Sequence, residues 1–341
     1  MSGAHVFIDR SQFPENVRRD LLDSLRVRAI NHKFHYESHK QAAKWLALHE
    51  AYSPARRDPS CLRIYDEAFR AAVVALQAAR VHVIGLGCGG GQKEARLLEC
   101  LHEQSCESAY TASDVSLPLV LAAREAALPS VGEDRSHAIV CDLATTTDLA
   151  SQLDDIDRSD RRLVTLFGII PNFEPAPLIS RLSQLLRPDD LLLFSANLAP
   201  GDDYAAGVRS VLPQYDNALT RDWLLTLLLD LGFERDDGEL RFTIESDDRQ
   251  LRRLAAHFEL QRPRDIRVFG ETMAFRSGER LRLFFSYRHT LQTIRALADE
   301  FGLEVLGQWL NDARDEGVFL GQRAQIERSR GQPCPQIAST A

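Results

Sequence analysis

The stretch Val81-His82-Val83-Ile84-Gly85-Leu86-Gly87-Cys88-Gly89-Gly90-Gly91 decides the fold. An apolar run rich in β-branched residues enters a cluster of glycines, and a helical pattern follows at once over residues 92–101. Strand, tight glycine turn and helix open a nucleotide-binding α/β domain. Residues without side chains let the backbone approach a ligand closely, and the helix N-terminus offers unpaired N–H groups to an anion. Two ligands satisfy the spacing. Gly85-x-Gly87-x-x-Gly90 fits the dinucleotide fingerprint, and Gly87-x-Gly89 fits the turn that cradles S-adenosylmethionine.

Downstream of the turn the alternation is regular. Residues 108–114 read as a second strand with a helix over 116–128, and residues 136–142 as a third strand. Residues 162–167 form a fourth, followed by a helix over 175–186 and a fifth strand at 190–197. Strands separated by helices of this length predict a parallel sheet with right-handed crossovers. Beyond residue 198 the pattern changes. A leucine-rich helix (220–231) precedes alternating stretches at 239–245, 253–260, 265–269 and 281–287, which read as antiparallel strands. A helix over 290–301 and a hairpin of 303–310 with 317–322 close the chain.

A parallel sheet that ends in a helix and an antiparallel hairpin suits a class I methyltransferase better than a hydride-transfer domain. The expected architecture is therefore α/β: a Rossmann-like class I methyltransferase sheet with a second, discontinuous α+β substrate-recognition domain. The first comprises 63–197 and 288–330, and the second 8–62 and 198–287. Upstream of the glycine strand, a mixed helical pattern fills residues 1–30 and a helix over 64–79 delivers the chain to residue 81. The tail 331–341 reads as disordered.

Composition narrows the class. With 44% hydrophobic and 26% charged residues over 341 positions, the chain reads as an ordinary globular protein of one large or two moderate domains. A net charge of −8 argues against a nucleic-acid binder, and no apolar run approaches a membrane span. The N-terminus lacks a signal peptide, and six cysteines show neither metal-ligand spacing nor a secreted framework, so reduced thiols in a cytoplasm are expected. No obligatory protein partner is expected.

Chemistry concentrates at the strand ends. Asp114, ending the second strand, can accept hydrogen bonds from both hydroxyls of a ribose, although an aspartate there also caps the helix that follows. Asp142 with Leu143 suits an adenine, the carboxylate for its amino group and the leucine against its ring. Lys93, at the start of the helix after the glycines, can pair with a methionine carboxylate. The loop Phe167-Gly168-Ile169-Ile170-Pro171-Asn172-Phe173 leaves the fourth strand where a methyl acceptor must sit, and the Asn172 carbonyl can accept from an amine. The arginines Arg249, Arg252, Arg253, Arg262, Arg264 and Arg267 either recognise an anionic acceptor or form a solvated strand face, and the second reading is the expected one. His32, His35, His39 and His49 cluster without a zinc spacing.

Taken together, Lys33-Phe34-His35-Tyr36-Glu37-Ser38, the Gly85-Leu86-Gly87-Cys88-Gly89 turn with Lys93, Asp114-Val115-Ser116, Asp142, and residues 163–172 resemble the histidine-specific methyltransferase family. The similarity runs in order from about residue 30 to about 325. It implies that Gly85, Gly87, Gly89, Lys93, Asp114, Asp142 and Leu143 hold S-adenosylmethionine. It further implies that Asn172 contacts the acceptor's amine beside Gly168, that Tyr36 lies near the reacting centre, and that Tyr52 and Tyr215 hold the acceptor's carboxylate. Gly85 stands where the family's turn begins with an acid. Another departure bears on the acceptor: in Leu281-Arg282-Leu283-Phe284-Phe285-Ser286-Tyr287, Phe284 falls where histidine methylators carry the glutamate that grips imidazole, while Ser286 is retained. Loss of that charge-assisted bond weakens imidazole binding. The expectation is an amino-acid-like small molecule that is larger or more apolar than histidine. Two rival readings stand beside it: an NAD-dependent oxidoreductase, and a cofactor-retaining scaffold without catalysis.

Overall fold

Period-2 alternation sorts the strand side chains onto two faces, and helices cover both. The computed structural model describes residues 4–156, 159 and 161–324, so the tail at 331–341 lies outside the described residues. Six strands run parallel in the order β1 (Phe7–Ile8), β4 (Ser136–Val140), β3 (Glu107–Asp114), β2 (Arg80–Leu86), β5 (Arg161–Leu166) and β6 (Leu191–Asn197). The antiparallel strands β13 (Glu316–Arg323) and β12 (Leu303–Leu310) then close the far edge. Strand order reverses at β2, and ligands of open α/β sheets bind outside the carboxyl ends of the strands at such a switch.

On β2, Val81 and Val83 join the core beneath the helices Pro59–Leu76, Gln92–Glu103 and Leu117–Val131, while Ile84 and Leu86 enter the opposite core. That second core is covered by Leu149–Ile156, Pro175–Leu185 and Leu291–Glu300. β6 divides the same way, Leu191 and Leu193 to one side and Leu192 and Phe194 to the other. A strand buried on both faces is mostly apolar, which is why these strands read as near-continuous hydrophobic runs, and the polar exceptions are hydrogen-bonded: His82 to Thr111 and Ser195 to Gly168.

Between Leu198 and His289 the chain leaves this sheet and returns at one point. Ala199 N–H donates to the His289 carbonyl and His289 N–H to the Asn197 carbonyl, both at 2.9 Å. The excursion builds an antiparallel sheet in the order β11 (Arg280–Arg288), β8 (Arg252–Leu260), β7 (Gly238–Ser246), with a hairpin of β9 (Arg264–Val268) and β10 (Glu271–Phe275). With the helices Pro14–Arg26 and Ala218–Asp230 these strands enclose a hydrophobic cluster of their own, which includes Leu25, Phe34, Trp223, Phe258 and Phe275. The N-terminal segment is stitched to β11: Ile30 N–H donates to the Arg282 carbonyl at 2.8 Å and Arg282 N–H to the Arg28 carbonyl at 2.9 Å. No helix of the described residues is long and apolar enough to cross a membrane.

Two strands escaped the sequence reading. β1 precedes the helix expected in the first thirty residues and pairs with β4. β10 follows β9 through Phe269 and Gly270, both at positive φ (+50° and +86°). A phenylalanine in the left-handed region is not a recognisable hairpin turn.

Gly91 shows how tightly the turn is packed. It has φ +73°, and a Cβ there would lie 2.5 Å from Ala123 Cα, whereas Gly302 (φ +69°) meets nothing within 4 Å. Gly302→Ala is expected to cost about 1 kcal/mol from backbone strain, and Gly91→Ala at least twice that, in urea unfolding. Equal losses would contradict the close packing.

Candidate functional site

The glycine turn is the place where three parts of the chain converge. Gly87 and Gly89 have φ of +60° and +53°, a region that L side chains rarely adopt. A Cβ on Gly87 would lie 2.4 Å from Ile169 Cδ1, and one on Gly89 would lie 2.8 Å from the Trp45 ring. Bare backbone therefore lets the loop after β5 and the helix His39–Tyr52 close over the turn. Beside it opens a cleft of about 830 Å³ between the carboxyl ends of the parallel strands and the antiparallel block.

On the sheet side, Asp114 and Asp142 sit at the ends of their strands and line the cleft. Asp114 Oδ1 accepts from Ser116 N–H at 3.0 Å and Oδ2 from Gly89 N–H at 3.1 Å. It thus closes an Asx turn ahead of the next helix and clasps the glycine turn. Burial pushes its carboxyl up to about 6, against those bonds. Asp142 Oδ1 accepts from Ala144 N–H at 2.9 Å, and its Oδ2 faces Lys33 Nζ at 3.2 Å, with Leu143 beside it. Lys33, its side chain almost fully buried, also reaches Asp20 at 2.5 Å. Lys93 donates to the Tyr65 hydroxyl at 2.7 Å and lies 3.8 Å from Glu316. Tyr65 in turn donates to Glu316.

Gly85 is the exception. It sits inside β2 and does not line the cleft, and a Cβ there would meet the Tyr110 hydroxyl at 2.9 Å. The same spot lies 3.4 Å from Glu94 Cγ, a buried residue of the following helix that does line the cleft. Glu94 accepts from Thr165 Oγ1 at 3.1 Å. Packing thus brings an acidic side chain from nine residues later beside Gly85, a proximity that spacing in the sequence does not reveal.

Across the cleft, Asn172 ends a short 3-10 turn (Ile170–Asn172), and its side-chain amide has no hydrogen-bond partner among the described residues. Gly168 (φ +73°) donates its N–H to Ser195 Oγ at 2.9 Å. Tyr36 packs against Trp45 and Trp223, with centroids 5.8 and 5.4 Å away, and burial together with the charge of Asp114 holds its phenol well above the ordinary value. Tyr215 shares a 2.9 Å bond with Ser286 and accepts from Asn197 at 3.1 Å and from Arg288 at 3.0 Å. Phe284 is buried, lines the cleft, and is boxed by His32, Tyr215 and Trp223. Tyr52 lies at the mouth, 47% exposed. The cleft thus gathers every expected site residue except Gly85. Its carboxylate-and-glycine wall fits a nucleoside, and its aromatic wall faces a free amide. Lys33, Tyr65, Glu94, Glu316, His32 and Arg282 line it as well.

Comparison with known proteins follows this geometry. A family model described as "Histidine-specific methyltransferase, SAM-dependent" matches residues 17–323. The N-methyltransferase imqF of Aspergillus flavus is 25% identical over 296 residues, which cover 84% of this chain and 77% of that protein. Among solved structures, magnesium protoporphyrin IX methyltransferase from Synechocystis PCC 6803 with bound SAH aligns over 89% of this chain and 100% of its own, at 13% identity and a TM-score of 0.46. The CcbJ methyltransferase from Streptomyces caelestis aligns over 76% and 96%, at 17% identity and a TM-score of 0.40.

Burial pushes the Glu94 carboxyl up from 4.5 to about 7. A carboxyl raised in the folded state holds its proton more tightly there than in the unfolded chain. Stability contributed by the neutral form is therefore present at low pH and lost as pH rises through about 7. Glu94→Gln has no charge to bury. Its stability relative to the native chain, from urea unfolding without ligand, is expected to improve by about 2 kcal/mol between pH 5 and 8. A difference that does not change with pH would contradict the assignment.

Proposed function

This chain belongs to the histidine-specific, S-adenosylmethionine (SAM)-dependent methyltransferase family, and on that premise we propose that it methylates the amine of a free amino acid or amino-acid-derived small molecule other than histidine. The family's cofactor decides between the two ligands that the glycine spacing left open, and the dinucleotide reading falls with Gly85, which does not reach the cleft. The observation that carries the acceptor reading is Phe284. Where a glutamate would grip an imidazole, an aromatic ring lies among His32, Tyr215 and Trp223. An imidazole placed there would find an apolar surface and no carboxylate.

SAM supplies a sulfonium methyl, and the reaction forms an N–C bond as the C–S bond breaks, leaving S-adenosylhomocysteine and a methylated amine that sheds its proton to water. The residues of this chain bind and align. Asp114 would take the ribose hydroxyls, Asp142 and Leu143 the adenine, and the backbone of Gly87 and Gly89 the close approach. Lys93 would face the methionine carboxylate, although Glu316 already counters its charge. The unpartnered Asn172 amide would accept from the acceptor's N–H and aim its lone pair, with Gly168 beside it. Tyr215 and Tyr52 would meet the acceptor's carboxylate, and Ser286 holds Tyr215.

Neither the Tyr36 phenol nor the imidazoles lining the cleft stand ready as a strong base. Tyr36 stays a neutral phenol, and burial lowers His32 to about 3 and His49 to about 3. The same desolvation disfavours an ammonium, so the amine enters or becomes neutral in the cleft. Alignment is then the protein's main contribution.

A screen of free amino acids with SAM, read by mass spectrometry, tests this. Phenylalanine-like amines are expected to gain a methyl with kcat/KM at least tenfold above histidine. Asn172→Ala should lower kcat on the order of 10²-fold through misalignment while SAM affinity holds within about twofold. Preference for histidine, or an unaffected Asn172→Ala, would overturn the reading.

A further inference from the structure

The antiparallel block is rich in arginine, and its arginines differ sharply in how their charge is met. Arg249 pairs with Glu300 at 2.8 Å, Arg253 with Glu174 and Glu245 at 3.1 and 3.0 Å, and Arg262 and Arg264 with the acidic turn at Glu234 and Asp237. Arg28 meets Glu279 and Arg280 meets Glu259. Arg282 has no ion pair and no side-chain hydrogen bond among the described residues, yet it lines the cleft and is partly buried. Its guanidinium carbon stands 5.2 Å from the Phe285 ring centroid, and Arg253 stands 4.9 Å from the same ring. Glu174 and Glu245 lie in its neighbourhood, but both are already engaged by Arg253, and by Tyr287 and His257 respectively.

On the same ring sits His32, its centroid 4.5 Å from Phe285 and 5.3 Å from Phe284. Both nitrogens of His32 are shielded from solvent and have no partner, although the side chain lines the cleft. A shielded imidazole with neither nitrogen satisfied is costly, as is a partly desolvated guanidinium without a counter-charge. The backbone holds both in place. Arg282 is fixed through its N–H and carbonyl by Arg28 and Ile30, and a bulge between Arg282 and Phe284 lets the Leu283 carbonyl meet His35 Nε2 at 2.7 Å. Trp223 then donates to the His35 carbonyl at 2.9 Å.

We propose that Arg282 and His32, set against the Phe285 ring, form a subsite for a carboxylate of the methyl acceptor. One oxygen would take the guanidinium's N–H donors and the other the His32 N–H, so that both unsatisfied groups are met by one planar anion. The aromatic wall of Phe284, Phe285 and Trp223 would hold the body of the same molecule. The inference rests on the acceptor reading above and narrows it to an amine that carries an acid. The carboxylate can be one on the acceptor's side chain, with Tyr52 and Tyr215 keeping the α-carboxylate, or the α-carboxylate itself, which would then lie on Arg282 and His32 in place of those tyrosines.

Calorimetry on the S-adenosylhomocysteine-loaded protein separates these sources without turnover. The probes are phenylalanine, phenethylamine, 4-carboxyphenylalanine, 4-carbamoylphenylalanine and benzoate, tested on the native chain, Arg282→Met and Arg282→Lys. Preference for phenylalanine over phenethylamine that falls at least tenfold in Arg282→Met identifies the α-carboxylate. Preference for 4-carboxyphenylalanine over its carbamoyl isostere that falls likewise identifies a side-chain acid. In either case Arg282→Lys should restore part of the preference, and cofactor-product affinity should stay within about twofold. Benzoate binding that depends on Arg282, with none of the amines bound, would support the subsite and sink the amine reading. Amine binding indifferent to Arg282, or no binding of any probe, would overturn the subsite.

Discussion

Gly87 and Gly89 leave no room for side chains, and that constraint locates every other part of the cleft. With Cβ positions 2.4 Å from Ile169 and 2.8 Å from Trp45, the turn is the contact point for a loop of the parallel sheet and a helix of the N-terminal segment. Asp114 clasps the turn through Gly89 N–H while closing an Asx turn with Ser116 N–H at the end of its own strand. A single carboxylate therefore fixes the turn's shape and presents itself to the cleft. As glycines, both residues take up left-handed backbone without steric penalty, and that freedom is what permits the closure.

The second organising contact is electrostatic. Lys33 lies between Asp20 and Asp142, buried with the latter, and ties the N-terminal segment to the end of β4. Removal of one partner from a buried pair leaves an uncompensated charge and costs about 3–5 kcal/mol. The contact therefore sets the position of the block's N-terminal part over the sheet as much as apolar packing does. It also occupies one oxygen of Asp142 and orients the carboxylate. On the opposite wall, Arg288, Asn197 and Ser286 converge on the Tyr215 hydroxyl and hold it in place.

Much of this was legible in the chain. β2, β5 and β6 announce themselves by largely apolar runs, and the position of Asp114 at the end of β3 and of Asp142 just past β4 gives their direction into the cleft. β1 was hidden because two residues carry no period, and its partner β4 lies well over a hundred positions away. β10 was hidden because its turn uses Phe269 at positive φ. The unforeseen site residues share one cause. Lys33 meets Asp142 across 109 positions and Tyr65 meets Glu316 across 251, so no local spacing encodes them. Glu94 is hidden likewise: it belongs to the next helix, and only packing brings it beside Gly85. Arg282 was concealed among arginines that look alike in sequence and differ in whether a carboxylate is free to meet them and in whether they line the cleft.

The account depends on a donor that lies over the glycine turn with its sulfur directed at the loop after β5. A crystal structure of the S-adenosylhomocysteine complex tests this most directly. The ribose hydroxyls should lie within hydrogen-bond distance of Asp114, with the sulfur turned toward Asn172 across a gap that a methyl and an amine nitrogen fill at a near-attack separation of about 3–3.5 Å. An adenosyl group placed away from Asp114, or a sulfur directed out of the cleft mouth at Tyr52, would contradict it.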